Sequence, residues 1–143
     1  MKIPEIISRG DMEKEERILA LEVECLLKYV SKKPIPINKG RLREMTEELK
    51  RILREFKCGT TYETLMSRRG FKPSERLLKY SQEAFGKEVE GIVAMVGTMC
   101  GLSSFEELLL KKEILLAVAR VVWGSEKAKE LEELCRRVAS TTR

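Results

Sequence analysis

The sequence predicts an all-α protein: a single compact bundle of six or seven helices around an apolar central helix at about 103–123. Three observations carry this expectation. Apolar residues recur near the helical period in most segments. Capping residues precede these periodic runs, and Gly or Pro follows them. One glycine-rich apolar segment is dense enough for a buried strand, yet no second strand exists to pair with it. The 143 residues suffice for one hydrophobic core, and 43% of them are hydrophobic, more than a disordered chain carries.

Asp11 reads as the N-cap of the first helix, after ten residues expected to fray. Ile18, Leu19, Leu21, Val23, Leu26, Leu27 and Val30 form its apolar stripe. It should stop before Pro34. "KKPIPINKG" is a stiff loop, because Pro34 and Pro36 fix their own φ and push the preceding residues extended. Asn38 can cap a second helix, striped by Leu42, Met45, Leu49, Ile52, Leu53 and Phe56 and ended by Gly59. Thr60 and Glu63 have capping-box spacing and open a short helix to about Arg69, closed by Gly70. Pro73 suits the first turn of the next helix, which buries Leu77, Leu78, Tyr80, Ala84 and Phe85 and stops at Gly86.

"GIVAMVGTMCG" is read as a helix. Gly91, Gly97 and Gly101 weaken it, but its small residues would let another helix approach closely. Ser103 and Glu106 repeat the capping-box spacing. The helix that follows, "SFEELLLKKEILLAVARVVW", is apolar nearly all round in its second half, as a central helix should be. Trp123 reads as a core anchor, and Gly124 ends the helix. Ser125 opens a last amphipathic helix through Leu131, Leu134, Cys135 and Val138, and "STTR" at 140–143 is expected to fray.

Composition excludes several chemistries. With no histidine, neither a Ser-His-Asp nor a Cys-His centre can be built, nor a His-containing zinc site. Cys25, Cys58, Cys100 and Cys135 are isolated, without a CxxC pair, so no metal site is expected and buried free thiols are the default. A bridge stays open for a protein from a hot source, where a surface with 36% charged residues is also common. The glycines make no P-loop, and no cofactor is expected. Acidic pairs such as Glu47–Glu48 and Glu132–Glu133 read as solvated faces and ion pairs. The first residues lack a long apolar core, and the longest apolar run, "ILLAVA", is far below the ~18 residues of a membrane span, so a cytoplasmic protein is expected.

Lys plus Arg is 28 against 23 for Asp plus Glu, a net +5 that permits an anionic partner. "TTYETLMSRRGFKPSERLLKYSQEAF" resembles a helix-turn-helix, whose second helix enters the major groove. That resemblance puts Lys72, Arg76 and Lys79 toward nucleic acid, with Arg76 able to read guanine. The pattern departs at Met66, Arg69 and the Gly70–Leu77 spacing. A plain helical hairpin of the core is the competing reading.

A second basic stretch, "SKKPIPINKGRLR", holds Lys32, Lys33, Lys39, Arg41 and Arg43. Were the first helices to alternate up and down, it would join Arg68, Arg69 and Lys72 in a phosphate-binding surface. Lys and Arg at helix C-termini also offset the helix dipole, which would explain Lys32, Lys33, Arg68 and Arg69 without a ligand. No interleaving of aromatic and basic residues points to single-strand stacking. The expected function is a non-enzymatic helical protein that binds DNA or RNA through basic inter-helix loops, as a subunit of a nucleoprotein assembly. The alternative is a protein–protein module or homo-oligomeric adaptor. No membrane partner is expected.

Overall fold

An apolar stripe on a helix needs a surface to bury against, and one helix supplies most of that surface. A computed structural model of the chain describes residues 9–31, 39–56 and 82–141. These contain five α-helices and no strand: α1 Arg9–Val30, α2 Lys39–Glu55, α3 Gln82–Cys100, α4 Ser104–Trp123 and α5 Ser125–Thr141. Helix α4 packs on each of the other four, and α1 also packs on α5. The run Ile114–Ala119 of α4 is buried without a break, as the all-round apolar pattern requires. Leu26 and Val30 of α1, Met45 and Ile52 of α2, and Val89 and Val96 of α3 bury fully in the same core.

Cross-helix contacts set the directions. Ser104 Oγ donates to Glu16, and Lys112 pairs with Glu22, so α1 runs parallel to α4. Lys111 pairs with Glu90 while Gly97 lies against Glu107, so α3 runs antiparallel to α4. Arg120 pairs with Glu48, and Ser125, just past α4, shares a cleft with Arg43, so α2 is antiparallel too. One end of the bundle therefore gathers the C-termini of α1 and α4 and the N-termini of α2, α3 and α5.

Local chemistry explains the helix ends. Glu106 N–H donates to Ser103 Oγ at 3.2 Å, and Ser103 N–H donates to Glu106 Oε1 at 3.0 Å, completing the capping box read from the sequence. The same bonds, the one from the Ser103 backbone foremost, hold the Glu106 carboxyl below the usual carboxylate range. Gly101 adopts φ 63° past the end of α3, and Leu102 N–H donates back to Gly97 O at 3.0 Å, a Schellman ending that only glycine adopts freely. Gly124, at φ 97°, is the whole connection between α4 and α5: its N–H closes one helix on Arg120 O and its carbonyl accepts from Ala128 in the next.

Five expectations need correction. Gly86 does not end a helix; α3 runs from Gln82 through Gly86 and Gly91 to Cys100, because burial of Val89, Ile92, Val93 and Val96 on α4 outweighs the helix penalty of each glycine, about 1 kcal/mol. Asp11 is not an N-cap, since α1 begins at Arg9 and Asp11 stands in its first turn. Trp123 is not a core anchor: it is 40% exposed, at the last position of α4, where the packed surface runs out. The described helices number five rather than six or seven; the short helix expected up to Arg69 and the start of the one at Pro73 fall outside the described residues. Helix α5 continues through Ser140 and Thr141 of the "STTR" tail.

Candidate functional site

The amphipathic pattern of α2 builds one wall of a cleft. Met45, Leu49 and Ile52 face the core. That turns Arg43, Glu44, Glu47, Glu48 and Arg51, one to two turns apart, toward Arg120 and Val121 of α4 and Ser125 of α5. The cleft between them holds about 500 Å³ and opens to solvent. Glu48 organises it. Arg51 donates to Glu48 Oε2 from Nη2 at 2.7 Å and from Nε at 3.1 Å. Arg120 donates from Nε to Glu48 Oε1 at 3.2 Å and from Nη2 to Oε2 at 3.3 Å. Arg51 Nη1 also reaches Glu55 at 2.7 Å. Burial pushes the Glu48 carboxyl up, but the hydrogen bonds from Arg120 and Arg51 outweigh it and hold it below the usual carboxylate range. The same bond to Glu48 raises the Arg51 guanidinium.

The cleft's charges divide between committed and uncommitted groups. Arg51 and Arg120 are held by Glu48. Arg43 is exposed and has no ion pair among the described residues. Three glutamates offset the three arginines, so the cleft is not a cationic pocket; Arg43 and Glu44, both exposed, are its members without an ion pair among the described residues. Glu113 of α4 lies close enough to feel Arg120, Glu55 and Arg51. Burial, with Glu55 adding, raises its carboxyl above the usual range against the opposing arginines.

Of the predicted contact residues, Arg43 is exposed beside this cleft, Arg41 is half-buried on α2, and Lys39 is the first residue of α2. Lys32, Lys33, Arg68, Arg69, Lys72, Arg76 and Lys79 lie outside the described residues. The end of the bundle that carries Arg43 also carries two side chains the sequence did not single out as exposed: Tyr29, at 43%, and Trp123, at 40%. The available signal was positional. Each stands within two residues of a helix end, where an apolar stripe outlasts its partner.

A second cluster was missed altogether. Glu22 of α1 is only 5% exposed. Its Oε1 has no hydrogen bond of good geometry, but Lys112 Nζ stands 2.9 Å away and neutralises its charge. Lys112 also reaches Glu132 at 3.2 Å, and Arg136 joins Glu132 at the same distance, so α1, α4 and α5 meet in one ion-pair network. One turn on, Cys25 and Cys135 are free thiols in mutual contact. Burial first, then the Cys25 hydrogen bond and the charge of Glu22, push the Cys135 thiol far above its ordinary value, which leaves it unreactive. Cys100, by contrast, is disulfide-bonded, so the free-thiol default does not extend to it.

Among the described residues, no cluster of Cys, Asp or Glu could hold a metal ion, and no helix is long and apolar enough to cross a membrane. Comparison with protein-family models, with curated proteins and with solved structures finds no match to this chain.

Proposed function

We propose that this is a non-enzymatic helical protein that binds nucleic acid with the basic end of its bundle, as a subunit of a nucleoprotein assembly. The observation that carries the proposal is Arg43. It is exposed, solvent-facing and without an ion pair among the described residues, while the other two arginines of its cleft are tied to Glu48. It stands in the second turn of α2, a helix that begins with Lys39 at the end of the bundle where α1 and α4 finish. An uncommitted cation keeps its full charge for a phosphate; a paired one must first give up its partner.

The protein–protein alternative draws on four exposed apolar residues, Tyr29, Met99, Trp123 and Val138. The helix directions divide them: Tyr29 and Trp123 stand at one end, Met99 and Val138 toward the other. A docking face would need them contiguous.

The test is fluorescence anisotropy with labelled single- and double-stranded DNA and RNA at low and high salt. The proposal expects binding that weakens steeply with salt, with a log–log slope near −0.7 per phosphate contact on single strands and about −0.9 on duplex. Arg43→Glu should weaken binding to all sequences alike and reduce that slope by about one contact. No binding at low salt, together with a solution mass well above 16.5 kDa, would favour the adaptor reading instead.

A further inference from the structure

We propose that Cys25 and Cys135 form a modification site: a dithiol that a small-molecule disulfide oxidises to an intramolecular bond, clasping α1 to α5. The proposal stands apart from the nucleic-acid reading above.

The seam between α1 and α5 holds the two thiols together. No pair of described helices packs more extensively than these two. The buried residues of α5 are Ala128, Cys135 and Ala139, all small, and small side chains at a contact let helix axes approach closely. The register is pinned beside the thiols. Lys112 reaches Glu22 of α1 at 2.9 Å and Glu132 of α5 at 3.2 Å. Arg136 of α5 joins Glu132 at 3.2 Å and Glu22 at 4.0 Å. Cys25 stands one turn beyond Glu22, and Cys135 stands between Glu132 and Arg136 in the sequence. Across the antiparallel seam the two thiols touch. A disulfide needs its sulfurs about 2.05 Å apart and its Cα atoms within about 7 Å. Thiols already in contact across a close seam need only a small closing movement to meet that requirement.

The two cysteines differ in the way the chemistry needs. Cys25 is half-buried, with an edge open to solvent, while Cys135 is fully buried. Cys25 is therefore the attacking thiol. Its thiolate bonds to one sulfur of the small disulfide, whose S–S bond breaks and releases the first small thiol. Cys135 then gives up its proton and attacks Cys25 Sγ, and the second small thiol leaves. Two protein thiols are oxidised, one small disulfide is reduced to two thiols, and those thiols carry away both protons. Burial keeps Cys135 protonated and inert toward dissolved reagents, so the second step is the slow one. Two things offset that. The sulfur it attacks is held against it, which makes the step intramolecular. The mixed disulfide has also removed the Cys25 charge that opposes Cys135 ionisation.

The experiment incubates the full chain, with Cys25 and Cys135 reduced, with hydroxyethyl disulfide under native conditions. The reaction is quenched in acid, remaining thiols are alkylated after denaturation, and tryptic peptides are read by mass spectrometry. Cleavage after Arg17, Lys28, Lys129 and Arg136 puts the two cysteines on segments 18–28 and 130–136, apart from Cys100. The expected result is that both thiols disappear together and the two segments are recovered as one linked peptide from a monomeric chain. A dithiol reductant restores both thiols. Because the bond ties α1 to α5 across most of the chain, the oxidised protein should melt several degrees above the reduced one. Cys135→Ala should stop at a stable adduct on Cys25, and Cys25→Ala should leave Cys135 unmodified in the native protein.

A persistent adduct on Cys25 beside a free Cys135 in the unmutated chain would overturn the proposal, as would no reaction at Cys25. A link from either cysteine to another cysteine, or a doubled mass on a non-reducing gel, would overturn it too. A linked monomer that melts lower, or loses helix in circular dichroism, would show that the seam must distort to make the bond, and the clasp would fail. Peptide mapping of the unmutated chain carries the test if either variant does not fold.

Discussion

Glu48 and Glu113 sit in one charge network and respond to pH with opposite signs. Glu48 has a folded pKa below its unfolded value, so its contribution to stability is complete above the unfolded pKa, about 4.3 for a free glutamate, and is lost as pH falls through the folded value. Glu113 has a folded pKa above its unfolded value because burial disfavours its charge. The folded state then binds the proton more tightly, and stability declines as pH rises through that window. Replacing Glu113 with Gln should therefore raise the thermal midpoint at neutral pH, and the gain should vanish in acid, where both forms are neutral. A midpoint unchanged at pH 7 would show that the carboxylate finds compensation the geometry does not offer.

The buried Glu22 predicts a larger effect. Lys112→Met alone leaves it only the 4.0 Å contact with exposed Arg136 and should cost up to about 3–5 kcal/mol, whereas Glu22→Leu with Lys112→Met should recover most of that loss in urea titrations. Cys25, partly exposed, should alkylate readily in the native state, and Cys135 only on unfolding.

At the scale of the element, the glycines of α3 separate into distinct jobs. A Cβ on Gly91 would meet nothing, so Gly91→Ala should stabilise the protein by up to about 1 kcal/mol. A Cβ on Gly97 would run into the Glu107 carboxylate, so Gly97→Ala must displace that side chain and should forfeit the gain. If the two variants melt together, the close α3–α4 approach at Gly97 is wrong. The capping box makes Ser103→Ala worth about 1 kcal/mol of destabilisation.

Helix starts and stops were legible at Ser103, Gly124 and Ser125, where a cap or a lone glycine stands between two runs, but not at Asp11, which lies inside the first turn of α1. They misled where tertiary burial outvoted a local breaker. Gly86 looked like a stop because its flanking residues were read in isolation; packed on α4, the helix passes through it.

For the whole molecule, α4 is the surface on which the other four helices are assembled. Leu115, fully buried at its centre, should cost about 2–5 kcal/mol on truncation to Ala, a large share of the stability of a domain this size, read as a fall in the urea midpoint. The same assembly decides which side chains share an end of the bundle. Parallel α1 and α4 carry Tyr29 and Trp123 to one end, and antiparallel α2 returns Arg43 to it.

The all-helical class, the central helix and the capping box at Ser103 were already present in the pattern of residues, because period and caps are local properties that the chain states within a few turns. The absence of histidine chemistry was likewise a matter of composition alone. Pairings between distant residues were not. Glu22 could be read only as one more charge on an amphipathic helix until Lys112 was seen beside it, and Trp123 only as a core residue until its helix ended. Burial is a property of two surfaces meeting, and a single helix holds only one of them.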